Sequence, residues 1–194
     1  MRIFSKMYEI VMRWALHRHA KWYLIGVSFA ESAALPIPPP DVMLAPMSLA
    51  NNNKAWYFAT LTTIFSVIGG ITGYILGMFA FEYLEPWIQA AGYMSKYEIA
   101  VQWFHEWGVW VVFIAGFSPI PYKLFTIAAG VTSLAFFPFV LASIAGRGAR
   151  FFLVAGLMLW GGEKMELLLR RSIDRIGWAV LVLAIVAYIV FEYV

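Results

Sequence analysis

Five ionisable side chains sit where an otherwise apolar sequence should carry none. Glu31 and Asp41 bracket the stretch Glu-Ser-Ala-Ala-Leu-Pro-Ile-Pro-Pro-Pro-Asp. Lys123 closes Ser118-Pro-Ile-Pro-Tyr-Lys, and Arg147 and Arg150 lie in Gly146-Arg-Gly-Ala-Arg, well inside a further apolar run. Charge at membrane depth is costly and by default marks function. The residue types divide the chemistry. Arginine's planar fork donates paired hydrogen bonds to a phosphate, and lysine adds a point charge. A carboxylate in low-dielectric surroundings is driven toward its neutral form, so it can exchange a proton. Glu31 and Asp41 are therefore candidate proton-linked acids, and Lys123, Arg147 and Arg150 a candidate headgroup or phosphate cradle. The same charges could instead only pair with one another and hold the chain together. On the residues alone, both readings are open.

Composition makes the setting a membrane. Of 194 residues 62% are hydrophobic and 13% charged, and the mean hydropathy is +0.76. A soluble domain cannot hide that much apolar surface. The absence of cysteine removes disulfides, thiolate metal sites and cysteine nucleophiles. The basic N-terminus lacks an apolar stretch followed by a cleavage site, so no removable signal is read. A net charge of +3 with nine Trp and ten Tyr suits lipid headgroups rather than nucleic acid.

The elements that must position the five groups follow from proline. It cannot continue a helix, and it pushes its predecessor out of the helical region. The helix carrying Glu31 must end near Leu35, and a new one can start at Pro40-Asp41, where proline and an acid both suit a first turn. Trp22–Leu35 and Val42–Ala50 are each too short to cross a core that needs about 20 residues. Residues 22–50 therefore read as a re-entrant hairpin broken at Pro36, Pro38 and Pro39. Residues 110–134 read as a second one, broken at Pro119 and Pro121. Broken backbone at membrane depth is tolerated where it is buried in protein or lines a wet cavity.

Residues 55–81 and 136–160 are long enough to span. The first carries Gly69, Gly73 and Gly77, a four-residue spacing that lets another backbone approach; a dinucleotide loop would need a strand before it. Residues 1–21 alternate basic and apolar faces and read as an amphipathic cytoplasmic surface helix. Residues 82–107, with four glutamates and many aromatics, belong on the non-cytoplasmic surface; His105 there reads as an exposed surface histidine. The loop 161–175 is basic and cytoplasmic, and 176–194 is a C-terminal anchor. The N-terminus is then cytoplasmic, the C-terminus outside, and the two hairpins enter from opposite faces.

The two breaks match. Pro36-Ile-Pro38 recurs as Pro119-Ile-Pro121, and Ser66-Val-Ile-Gly69 as Ser143-Ile-Ala-Gly146. Opposite faces with matching breaks predict an inverted repeat whose site lies where the broken helices meet. The expected fold class is all-α integral membrane, an inverted repeat of two re-entrant hairpins plus transmembrane helices.

Glu31…Pro36-x-Pro-Pro-x-Asp41, Gly69-x-x-x-Gly73-Tyr-x-x-Gly77 and Phe117-x-Pro-x-Pro-x-Lys123…Ala129-Gly130 resemble the bacterial DedA family. That family shares the VTT domain with eukaryotic lipid scramblases of autophagy. The resemblance covers roughly residues 22–160. It implies an inner-membrane transporter that returns undecaprenyl phosphate or a phospholipid across the membrane and depends on proton-motive force. The family's membrane acids fall on Glu31 and Asp41. Its second motif has arginine where this chain has Gly116, and again where it has Lys123. Those departures suggest the YqaA-like branch, with Arg147 and Arg150 supplying the missing cations.

The function expected is thus a proton-linked flippase or scramblase for a phosphate-bearing lipid, with lipids and protons as partners and no cofactor or metal. A proton-coupled exporter of a small cation or drug, using Glu31 and Asp41 as its ion site, is the alternative. A lipid phosphatase is disfavoured, because His17, His19 and His105 all lie outside the apolar segments and no HExxH is present. Glycine-lined helices allow a homo-oligomer without requiring one.

Overall fold

The structure, a computed structural model, describes residues 17–162 apart from 34, 36, 37, 91, 93 and 119. Most of the surface helix expected over 1–21 and of the basic loop expected over 161–175 lies outside the described residues, as do the anchor over 176–194, Pro36 and Pro119; residues 161 and 162 are helical. Among the described residues the chain is all helical, with no strand.

Six α-helices follow one another. They are α1 (Ala20–Ala33), α2 (Asp41–Ala50), α3 (Ala55–Ala90), α4 (Met94–Phe117), α5 (Tyr122–Val131) and α6 (Phe136–Gly162). Prolines set the interruptions. Pro40 precedes α2 and Pro121 precedes α5, each a residue that cannot donate to a preceding turn. A 3-10 turn, Asn52–Lys54, joins α2 to α3. α3 runs through Phe81 and through Pro86 to Ala90, and the chain then turns at Gly92, whose φ of +73° suits glycine. Among the described residues two helices, over Asn52–Tyr83 and Phe136–Gly162, are long and apolar enough to cross a membrane. At a rise of 1.5 Å per residue, α1 and α2 reach only about 21 and 15 Å.

The radial polarity is that of a protein in lipid. The buried stripe of α1 is Leu24, Val27, Ser28, Glu31 and Ser32, whereas Trp22 and Phe29 face outward. α3 likewise buries Thr62, Thr63 and Ser66 and exposes Ile64, Ile68, Ile75 and Phe79. Such a continuous apolar exterior, with hydroxyls inside, demands a non-aqueous surrounding.

Two apolar cores form. One gathers Leu24 of α1, Met43 and Leu44 of α2, Phe58 from the start of α3, and Phe151 and Met158 from the later part of α6. The other gathers Tyr74 of α3, Val112 of α4, Tyr122 of α5 and Phe139 from the start of α6. The start of α3 thus meets the later part of α6, so the two long helices run antiparallel. Glycines set the close approaches. A Cβ on Gly69 would strike the Phe29 carbonyl of α1, and one on Gly130 of α5 would strike the Tyr74 carbonyl of α3. A Cβ on Gly73 would meet Thr126 of α5 and the Ala33 carbonyl, and one on Gly77 would meet Ile127 and Gly130.

Candidate functional site in the polar layer

Between the two cores lies a polar layer. Ser66 sits eleven residues into α3 from Ala55, about 16 Å along its axis. Arg147 projects from the middle of α6 and is only 2% exposed. Its Nη2 donates to Glu31 Oε2 at 2.8 Å and to Ser32 Oγ at 3.2 Å, and its Nε donates to Ser66 Oγ at 2.6 Å. Ser32 Oγ also donates to Glu31 Oε2 at 3.1 Å and lies 2.7 Å from Ser66 Oγ. Aromatic rings flank the guanidinium. The Tyr122 ring centre is 4.9 Å from its carbon, and that of Phe151 is 4.7 Å away. Cation–π attraction on this scale strengthens when water is excluded. Tyr122 is itself fixed, because its OH donates to Ser143 Oγ at 2.6 Å.

One turn further along α6, Arg150 pairs with Asp41. Arg150 Nε donates to Asp41 Oδ2 at 3.0 Å, and Nη2 donates to the same oxygen. Arg150 Nη1 donates to the Ser118 carbonyl. One guanidinium therefore ties the acid that starts α2 to the backbone that ends α4. This pair is more open than the first, with both side chains 16% exposed. Asp41 Oδ1 is buried without a hydrogen-bond partner. Lys123, in the first turn of α5, crosses in the other direction: its Nζ donates to the Leu35 carbonyl at 2.9 Å.

All five ionisable residues singled out in the sequence thus meet around the two breaks, as two ion pairs and one lysine on a carbonyl. The described prolines Pro38, Pro39 and Pro121 border them. Ser32, Ser66, Tyr122 and Phe151 complete the layer; Ser66 stood out in the sequence only as the start of the repeated Ser66-Val-Ile-Gly69, and the other three only by adjacency to Glu31, Lys123 and Arg150. Gly116 packs close to α6: a Cβ there would lie 3.2 Å from the Arg147 backbone nitrogen. A long side chain at that position has no room without moving α6. An open cavity of about 380 Å³ lies elsewhere, beside Tyr97, Glu98, Gln102, His105 and Ser133, and shares no residue with the charged layer.

A VTT domain matches residues 33–159, spanning both breaks and both arginines. An uncharacterized protein of Haemophilus influenzae is 53% identical over 192 residues, 99% of this chain and 100% of its own length. Another, from Histophilus somni, is 50% identical with the same coverage. Undecaprenyl phosphate transporter A of Staphylococcus aureus is 30% identical over 174 residues, 82% of this chain and 84% of that protein. No solved structure matches the chain.

Proposed function

This chain belongs to the VTT-domain (DedA) family of membrane proteins, and from that premise we propose that it moves a phosphate-bearing lipid headgroup across the bacterial inner membrane in a proton-linked manner. The observation that carries the reading is the charged layer itself: two carboxylates and three cations from distant parts of the chain, held between two apolar cores. A structural ion pair needs one acid and one base. Here three cations face two acids at interrupted helices, where an anion can also meet helix N-termini. Glu31 and Asp41 supply the acids of the layer, at least one of them proton-linked, and Lys123, Arg147 and Arg150 make it positive for the phosphate. Protonating a carboxylate weakens its hold on a guanidinium, and the released donors suit phosphate oxygens. The similarity to an undecaprenyl phosphate transporter supports a phosphate-bearing lipid as cargo.

In this reading residues 22–50, which hold α1 and α2, and residues 110–134, which hold the end of α4 and α5, are re-entrant hairpins related as an inverted repeat. Three pairings support it. Each break is followed by a helix of ten residues. Gly69 closes on the Phe29 carbonyl of the first arm, and Gly146 on the Phe113 carbonyl of the second. Ser66 and Ser143 each receive a hydrogen bond from a side chain of the charged layer. The α3 rise of about 16 Å from Ala55 to Ser66 supports a layer about half-way through a ~30 Å core. The N-terminus is cytoplasmic.

The test is translocation in proteoliposomes. Undecaprenyl phosphate and phosphatidylethanolamine are run in parallel, with and without an imposed pH gradient. Wild type should move one of them above protein-free vesicles, faster with the gradient, while Glu31→Gln and Arg147→Ala should not. If neither lipid moves with wild type, the transport reading fails.

A further inference from the structure

The two ion pairs are not equivalent, and the difference bears on which acid carries the proton. Arg147 is enclosed. Its Nε and Nη2 are engaged by Glu31, Ser32 and Ser66, and Tyr122 and Phe151 cover it. Neutralising Glu31 would leave that guanidinium buried without its counter-charge, a costly state. Arg150 is more accessible, and one of its acceptors is a neutral carbonyl, Ser118 O. Lys123 Nζ also rests on a neutral carbonyl and, among the described residues, has no carboxylate partner. Both cations therefore stand to gain by exchanging a carbonyl for an anionic oxygen. On the acid side, Asp41 engages Arg150 through Oδ2 alone. A proton placed on Oδ1 breaks no existing hydrogen bond.

Resting on the transport reading above, we propose that the lipid phosphate docks at the seam between the two breaks, on Arg150 and Lys123, and that Asp41 is the acid it displaces and that takes up the proton, while Glu31–Arg147 stays closed. The charge count then selects a stoichiometry. With Glu31–Arg147 closed as a neutral pair, Arg150 and Lys123 against Asp41 leave one net positive charge at the docking seam. A phosphodiester carries one negative charge and is matched with no proton. A phosphomonoester carries nearly two above its second ionisation, so one proton on Asp41 restores the balance. The groups that act on Asp41 are its partner Arg150 and, more distantly, Arg147, both from α6. The site thus takes a monoester with one proton and a diester with none.

Titration calorimetry on the detergent-purified full chain reads this directly. Dodecyl phosphate is the monoester and dihexanoylphosphatidylglycerol the diester. Each is titrated near pH 8, about two units above the second phosphate ionisation, in two buffers of different ionisation enthalpy. Wild type should take up about one proton per monoester and none per diester. Asp41→Asn should bind the monoester with no uptake, and Glu31→Gln should retain it. Arg150→Ala and Lys123→Ala should each weaken monoester binding at least ten-fold. Melting of each variant identifies any that fails to fold, and the wild-type contrast between the two probes needs no variant. Equal uptake with both probes, uptake that persists in Asp41→Asn, uptake lost in a folded Glu31→Gln, or no binding of either probe would overturn the proposal. Any of these alongside translocation in vesicles leaves the transport reading intact, whereas absent translocation removes that reading first.

Discussion

Arg147 Nη2 lies 2.8 Å from Glu31 Oε2, although 116 residues separate the two in the chain. The contact joins α6 to the end of α1 and is walled by Ser32, Ser66, Tyr122 and Phe151. It makes the register of α6 against α1 and α3 a matter of charge as well as packing. Removing one partner of a buried pair is worth about 3–5 kcal/mol, mostly the cost of the charge left behind. Arg147→Ala should therefore lower the unfolding free energy in detergent by about that much. Glu31→Gln combined with Arg147→Met should cost clearly less than the two single changes added. A double-mutant cycle on thermal or denaturant unfolding checks this, and strict additivity would argue against the pairing.

At the other pair, Arg150 binds Asp41 through two nitrogens and Ser118 through a third. Lysine retains the charge and cannot reproduce that fork. Arg150→Lys should keep a folded protein and lose transport by at least about ten-fold, equivalent to about 1.4 kcal/mol in the barrier. Initial rates in proteoliposomes measure it; full activity in Arg150→Lys would mean that only the charge matters.

Glycines give a graded test of packing. At Gly130 an added Cβ meets the Tyr74 backbone, with Met78 N at 2.9 Å, whereas at Gly26 it meets nothing within 4 Å. Gly130→Ala must force α5 away from α3 and should destabilise by about 1–3 kcal/mol, the usual range for overpacking. Gly26→Ala, inside α1, should stabilise by about 0.5–1 kcal/mol through helix propensity alone. Melting temperatures of the two variants should move in opposite directions.

Tyr122 serves the layer in two separable ways. Its hydroxyl donates to Ser143 and its ring lies against Arg147. Tyr122→Phe removes only the first and should cost about 1 kcal/mol. Tyr122→Leu removes both and should cost roughly a further 1–2 kcal/mol. Equal losses in the two variants would assign the whole effect to the hydroxyl.

Sidedness is open to labelling, because the chain has no cysteine to remove first. Glu98→Cys and Lys54→Cys each place one thiol on an exposed position. A membrane-impermeant maleimide applied to intact spheroplasts should label Glu98→Cys only. Lys54→Cys should react only after the membrane is opened. The reverse pattern would invert the proposed orientation.

The sequence displayed the breaks and the five charges, because prolines and ionisable residues are conspicuous in an apolar background. It did not display the partners. Whether Arg147 meets Glu31 or Asp41 depends on how α6 seats against α1 and α3; Gly69 fixes α3 on α1, while Gly116 and Gly146 fix α6 on α4. Ser32 and Ser66 read as ordinary small helix residues, since nothing local tells a packing serine from one holding a guanidinium. Depth and helix boundary are also different quantities. The polar composition after Phe81 signals departure from the hydrocarbon, yet α3 continues to Ala90 because a helix needs no change of backbone to leave it.

The shortness of α1 and α2 reaches beyond the protein to the lipid around it. Helices of about 21 and 15 Å fall well below a hydrocarbon thickness of ~30 Å, and outward residues such as Trp22, Phe29 and Leu35 stay in contact with acyl chains. Lipid beside so short a wall accommodates the mismatch by thinning. On the proposed topology the membrane would be dimpled on the flank that carries Leu35, whose carbonyl holds Lys123. On the proposed function a lipid in that dimple would start its passage with its headgroup already lowered toward the charged layer. Thicker bilayers should steepen the dimple and slow the passage.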